Sequence, residues 1–521
     1  MQLTIGRLAL VFAAVLVAVG AVAPSDPRVL NTHGGSWQGV TKDGFIGFYG
    51  IKFGNADRFK APVAVKQTEH TLNTDWGSVC SQFATTGEEG TEDCLFLNVF
   101  VPIRESKELL PVAVNIHPGT FVRGSGAHAQ FPFESFARAG IVTVTINYRL
   151  GMFGFMSLPQ LMEEAPLAPS NFGLLDQRMA LEWVQENIGL FGGDPARVTA
   201  MGESAGAASI LHQMVYKNGT GNPLFERAFL SSPPALSGPE YTVQNLTKGY
   251  LLAASRLGCD PAVTADVLAC MRALPQSKMD ISKNRTEVFP YSTSCPAEYL
   301  FAGWPSNDGV NFPDVGVALA EGRFWKDVTV MIGSDWDEGL SFLTLITPVF
   351  YPSETFLPHQ LQEVYGVEEG KKLWEVYKPG PKSTRKNVGD SFADIVGDTI
   401  LNCPTWIHTH SLARHSKKPV FRYSNNHVFK NSIQMFGSFH TCASALFFNN
   451  TNASFPFPSL FSPDEQAGAD ILYKVMLDFI QGQNPDHKFW PPFKNDEELS
   501  LHLTVGNLTL AVEAHWKSDT S

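Results

Sequence analysis

The chain has 521 residues, 44% of them hydrophobic and 17% charged, a balance that supports a large buried core and excludes a disordered polymer. Its net charge of −12 argues against a nucleic-acid partner, which needs clustered lysine and arginine to displace counterions from phosphates. The longest basic cluster, PKSTRK at 381–386, reads as a solvated loop.

In chain order, MQLTIGRLALVFAAVLVAVGAVAPSDP comes first: Arg7 precedes an apolar run over 8–19, and small residues follow. This is the pattern of a secretory signal peptide over 1–23, cleaved near Ala21 or Ala23. The run is short for a bilayer span, so no stable membrane insertion is expected. Residues 24–521 are expected to form a single domain, since no linker or fixed-period repeat divides them. Export would expose the 7 cysteines to oxidant. Cys80–Cys94 and Cys259–Cys270 would close short loops, while Cys295, Cys403 and Cys442 compete for at most one bridge, with Cys403–Cys442 the pairing considered. No CxxC is present, and no metal or cofactor is expected. NxS/T sequons at Asn218, Asn245, Asn284, Asn449, Asn452 and Asn507 are candidate glycan sites in an exported chain.

Short apolar runs at 111–117 (PVAVNIH), 141–148 (IVTVTINY), 197–202 (RVTAMG), 227–232 (RAFLSS), 327–333 (DVTVMIG) and 419–424 (PVFRYS) predict buried parallel strands. Between them, LLDQRMALEWVQENIGLF at 174–191 has the apolar spacing of a helix. Alternating strands and helices predict an α/β sheet covered on both faces. Residues 233–311 lack the alternation and predict a helical insertion with two short helices around the Cys259/Cys270 pair.

Directly after one predicted strand, AMGESAG at 200–206 places Ser204 in a GxSxG frame before a helix-like AGAASILHQMV. A serine hydroxyl is a weak nucleophile without a neighbouring base and preorganised donors for the oxyanion. Gly202 and Gly206 would allow the sharp strand-to-helix turn that exposes such a serine. HPGTFVRGSG, beginning at His117 after another strand, resembles an HGGG-type oxyanion loop, with the amides of Gly119, Thr120 and Ala205 as donors by position. Pro118 departs from that pattern, because proline has no N–H.

Together with GIKF (50–53), EDCLFLNVFVP (92–102), NYRLGMFGF (147–155), the continuous run from NFGLLDQ to GESAG, and FWPPF (489–493), these segments resemble the type-B carboxylesterases, which include cholinesterases and fungal lipases. The resemblance covers nearly the whole mature chain and implies the α/β-hydrolase fold, with a catalytic order Ser, Glu, His. By motif position it implies Glu338 in GSDWDEG as the acid, with Asp335 and Asp337 as rivals. It implies His440 in GSFHTCASALFF as the base, with His117 as the rival. Glu203 and Ser232 are supporting candidates, and Glu92 with Arg149 resembles a structural ion pair.

The resemblance implies a small-molecule ester as the partner. Lipases of the family carry a long apolar lid in the first disulfide loop, whereas here 81–93 is the short, acidic SQFATTGEEGTED, without the tryptophan that stacks on choline. A small to medium ester is therefore expected, cleaved through an acyl-enzyme. Acyl transfer or lactone chemistry by the same residues is one alternative, and a non-catalytic adhesion protein is another; such adhesion relatives usually lose a triad member, and here all three are present. Oligomeric state is not legible.

Overall fold

A computed structural model of the chain describes residues 29–513 other than 33–34, 66–69, 73, 83–89, 105–107, 128–132, 239–240, 280–302, 342–352, 381–386, 432–436, 451–460, 496–499 and 504–510. The signal-peptide reading, Cys295, the basic cluster and the sequons at Asn284, Asn452 and Asn507 lie outside the described residues.

The sheet strands are β1 (Val40–Lys42), β2 (Phe45–Lys52), β3 (Phe96–Pro102), β4 (Leu110–Ile116), β5 (Val142–Ile146), β6 (Gly193–Glu203), β7 (Arg227–Ser231), β8 (Thr329–Asp335), β9 (Val420–Asn425), β10 (Ser500–Leu503) and β11 (Ala511–Glu513). They form one 11-stranded sheet in the order β11-β10-β9-β8-β7-β6-β4-β5-β3-β2-β1. The stretch from β10 to β5 is parallel, and antiparallel strands border it on both sides. All six apolar runs read as strands are strands, because a parallel strand covered on both faces needs an unbroken apolar sequence. In β4, Val112, Val114 and Ile116 enter one apolar cluster while Ala113 enters the cluster on the opposite face.

Helix α1 (Phe172–Asn187) continues as a 3-10 turn over Ile188–Phe191, and helix α2 (Ala205–Gly219) follows β6, with non-helical backbone at Tyr216, Lys217 and Asn218. Within the predicted insertion, α3 (Val243–Arg256) and α4 (Val267–Ala273) lie on either side of the turn, and the Cys259–Cys270 disulfide ties them. They bury Leu246, Tyr250, Leu268 and Met271 against Phe59, Met152 and Phe153, a cluster separate from the two that cover the sheet. Helices α5 (Val315–Ala320), α6 (Val388–Gly397), α7 (Cys403–His415), α8 (Cys442–Phe447) and α9 (Pro463–Ile480) complete the layers used below.

Two pairings differ from expectation. Cys80–Cys94 is bridged, but Cys403 and Cys442 are free thiols: Cys403 is exposed at the start of α7, whereas Cys442, the first residue of α8, is buried in the core. Arg149 does not pair with Glu92. Asp176, in the first turns of α1, takes the Arg149 Nη2 and Nε groups at 2.7 Å each and the Arg149 amide at 3.0 Å, so a fully buried carboxylate is satisfied three times. Glu92 instead pairs with Arg58, whose Nη1 also reaches the carbonyls of Met271 and Leu274 and so links the disulfide loop to α4.

Candidate active site

The chain turns from β6 into α2 at Ser204, whose φ of 54° and ψ of −123° lie outside the usual basins of a side-chain-bearing residue. The glycines make this turn possible by close approach. A Cβ on Gly202 would lie 2.4 Å from the Gly206 carbonyl carbon, and one on Gly206 would lie 2.0 Å from the Ile116 oxygen. The Ser204 amide donates to the Ser231 carbonyl at 2.8 Å, and the Ser204 carbonyl accepts the Ala208 amide at 3.0 Å as α2 begins. The nucleophile candidate is thus pinned between β7 and its own helix.

The three acids at the end of β8 and just beyond it are sorted by their contacts. Asp335 accepts the amides of Thr441 and Ala443 at 3.0 and 2.9 Å and the Asn425 side chain at 2.6 Å. Asp337 accepts the Ser438 amide at 2.8 Å. Both therefore hold the backbone of the segment carrying His440, and neither reaches its ring. Glu338, fully buried, has Oε1 fixed by the Asp335 amide at 2.8 Å, and its Oε2 lies 2.5 Å from His440 Nδ1. Burial and the Glu338 carboxylate raise the Asp335 pKa well above its ordinary range, and burial raises that of Asp337.

His440 Nε2 lies 3.0 Å from Glu203 Oε1, so the ring stands between two carboxylates. Among the described residues the Ser204 hydroxyl makes no hydrogen bond, and Glu203, its chain neighbour, takes the imidazole edge expected to face it. Burial by itself would lower the His440 pKa, but the charges of Glu203 and Glu338 carry it well above the ordinary imidazole value. The rival His117 is occupied elsewhere: its Nδ1 donates to the Pro118 carbonyl at 2.8 Å, and its ring stacks on Tyr148 at 4.2 Å.

Gly119 (φ 117°) and Thr120 (φ 53°) form a turn after β4 whose Gly119 carbonyl accepts the amides of Val122 and Arg123. Among the described residues the amides of Gly119, Thr120 and Ala205 have no hydrogen-bond acceptor, so three donors stand available beside the serine turn. Pro118 supplies no N–H, but its carbonyl fixes the His117 ring. Gln82 bonds both the amide and the carbonyl of Gly124, tying the Cys80–Cys94 loop to this turn.

The carboxylesterase family profile matches residues 26–517. The chain belongs to the carboxylesterase family. Relatives include the crystal protein of Dictyostelium discoideum, 29% identical over 92% of this chain and 88% of that one. The acetylcholinesterase of Bungarus fasciatus is 31% identical over 78% of this chain and 70% of its own length. Among solved structures, a PNB esterase superposes with a TM-score of 0.76 at 26% identity, covering 92% of this chain and 96% of that chain. This carboxylesterase accordingly has the α/β-hydrolase fold of the type-B family, and its activity class is carboxylic ester hydrolysis.

Sequence reasoning about this carboxylesterase overlooked Ser231. Its carbonyl holds the Ser204 amide, and its hydroxyl accepts from Ser444 on α8 at 2.9 Å, bridging the serine turn to the histidine segment. Ser232 has φ 52°, donates its amide to Gly333 at 2.7 Å, and its buried hydroxyl has no partner among the described residues. Nothing in the local SSPP sequence distinguishes the two serines. Of the described sequons, Asn218 is exposed, while Asn245 and Asn449 are half-buried, and Asn449 donates to Asp470 at 2.8 Å.

Proposed function

We propose that this carboxylesterase is a secreted serine hydrolase that cleaves a small to medium carboxylic ester through an acyl-enzyme. Ser204 attacks the ester carbonyl, and His440 takes its proton and returns it to the leaving alcohol. Glu338 holds the Nδ1–H tautomer and stabilises the imidazolium. The amides of Gly119, Thr120 and Ala205 meet the developing oxyanion, Ala205 with the added field of the α2 N-terminus. Water then attacks the acyl-enzyme by the same proton path in reverse.

The observation that carries the reading is the 2.5 Å contact between His440 Nδ1 and Glu338, which turns the opposite ring edge toward the Glu203-Ser204 turn. His440 Nε2 must exchange Glu203 for the Ser204 hydroxyl during turnover, in keeping with catalytic contacts that are loose in the free enzyme and tighten in the substrate complex. Export is supported by the N-terminal leader pattern and by two disulfides, which persist in oxidising compartments. Among the described residues no helix is long and apolar enough to cross a membrane. Turnover of p-nitrophenyl butyrate tests the mechanism: Ser204→Ala should lower kcat by roughly 10⁴-fold or more. Equal turnover by variant and wild type would overturn it.

A further inference from the structure

Arg123 lies on the oxyanion turn and differs from five other arginines packed into the molecule. Arg58, Arg149, Arg178, Arg227 and Arg272 are buried or half-buried, and each faces a carboxylate: Glu92, Asp176, Glu182, Glu226 and Glu164 respectively. Arg123 is also half-buried, yet among the described residues its guanidinium has no ion pair, no hydrogen bond and no aromatic ring beneath it. Burial lowers its pKa, with no carboxylate to offset the effect. A cation partly withdrawn from water gains from a counter-charge, and none of the described residues supplies one here.

The placement of this residue is rigid. The Arg123 amide donates to Gly119 at 3.1 Å, the Phe121 carbonyl accepts from Gly151 at 2.7 Å, and Gln82 grips Gly124 from the disulfide loop. Arg123 Cγ lies only 3.0 Å from where a Cβ on Gly119 would stand, so the side chain starts out against the turn that offers the oxyanion amides. The backbone of Arg123 is thus anchored, and a guanidinium with five unused donors, within one side-chain length of those amides, matches the planar fork that binds carboxylates.

We propose that Arg123 determines specificity by binding a carboxylate carried by the substrate, so that the preferred esters are anionic. This rests on the hydrolase reading above, and the position is on the acyl or the alcohol side of the scissile bond. Both arms can be read with matched pairs. Mono-4-nitrophenyl adipate against 4-nitrophenyl hexanoate places the charge on the acyl chain, and 4-acetoxybenzoate against 4-acetoxybenzamide places it on the leaving group. In the wild type, one anionic ester should exceed its neutral partner in kcat/KM. Arg123→Gln should lower that anionic-to-neutral ratio by about tenfold or more, the worth of one charge-assisted hydrogen bond. Arg123→Lys, which keeps the charge without the fork, should give an intermediate ratio and carries the test if the glutamine variant does not fold. A wild type without preference in either pair, or ratios unmoved by both substitutions, would overturn the proposal while leaving the hydrolase reading intact. Failure to turn over any of the four esters would instead overturn the hydrolase reading and this proposal with it.

Discussion

His440 is subject to opposing forces that a pH profile separates. Burial disfavours its charged form, whereas Glu203 on Nε2 and Glu338 on Nδ1 favour it, and the carboxylates prevail. A general base works only when neutral, so the acid limb of kcat/KM should lie above the ordinary imidazole range. Glu203→Gln removes one of the two negative charges and should move that limb to lower pH. A limb that stays in place would mean that Glu203 leaves the base unaffected and that its contact is only packing. At this scale the resemblance named Ser204, Glu338 and His440 by motif position, but nothing in the residues themselves separated Glu338 from its rivals Asp335 and Asp337, which crowd one seven-residue segment. The ranking came from their partners: two of them bind main-chain amides around His440, and only one reaches the ring.

Among the elements, α2 and α7 contribute a pair of buried histidines that the reaction does not use. His212 on α2 and His408 on α7 are both almost fully buried. Among the described residues neither ring nitrogen of His212 and no partner for His408 Nδ1 is hydrogen-bonded. Burial lowers their pKa values to about 3 and about 4. The Asp314 carboxylate, which caps α5 through the Val317 amide, opposes this, and His408 reinforces it at His212. Both rings stay neutral in the fold well below pH 6.5, while the unfolded chain begins to protonate there. Stability is therefore unaffected by these groups above pH 6.5 and falls as pH drops from 6.5 toward 4. Thermal midpoints across that window should fall more steeply for the wild type than for a His212→Leu, His408→Leu double variant. Parallel slopes would trace the acid sensitivity to carboxylates instead. Strands and helices themselves were legible because each apolar run meets a requirement that is local, namely cover on two faces.

On the scale of the whole molecule, the Cys259–Cys270 bridge holds the helical insertion, whose apolar cluster is separate from those on the sheet. With a sequence separation of 11, its loss should cost about 3 kcal/mol through the freed unfolded chain. Cys259→Ser with Cys270→Ser should accordingly lower the thermal midpoint, and circular dichroism melts check it; an unchanged midpoint would assign the insertion's stability wholly to packing. The chain alone determined the parallel sheet, the serine turn, the family and two of the bridges, because each is written in contiguous residues whose sterics or spacing admit few alternatives. Only the tertiary structure decided that Asp176 rather than Glu92 pairs with Arg149, that Cys403 and Cys442 stay apart, that Glu203 stands on His440, and that none of the described residues gives Arg123 a counter-charge. Those outcomes depend on groups distant in sequence being drawn from water into shared space, where the geometry of approach selects the partner.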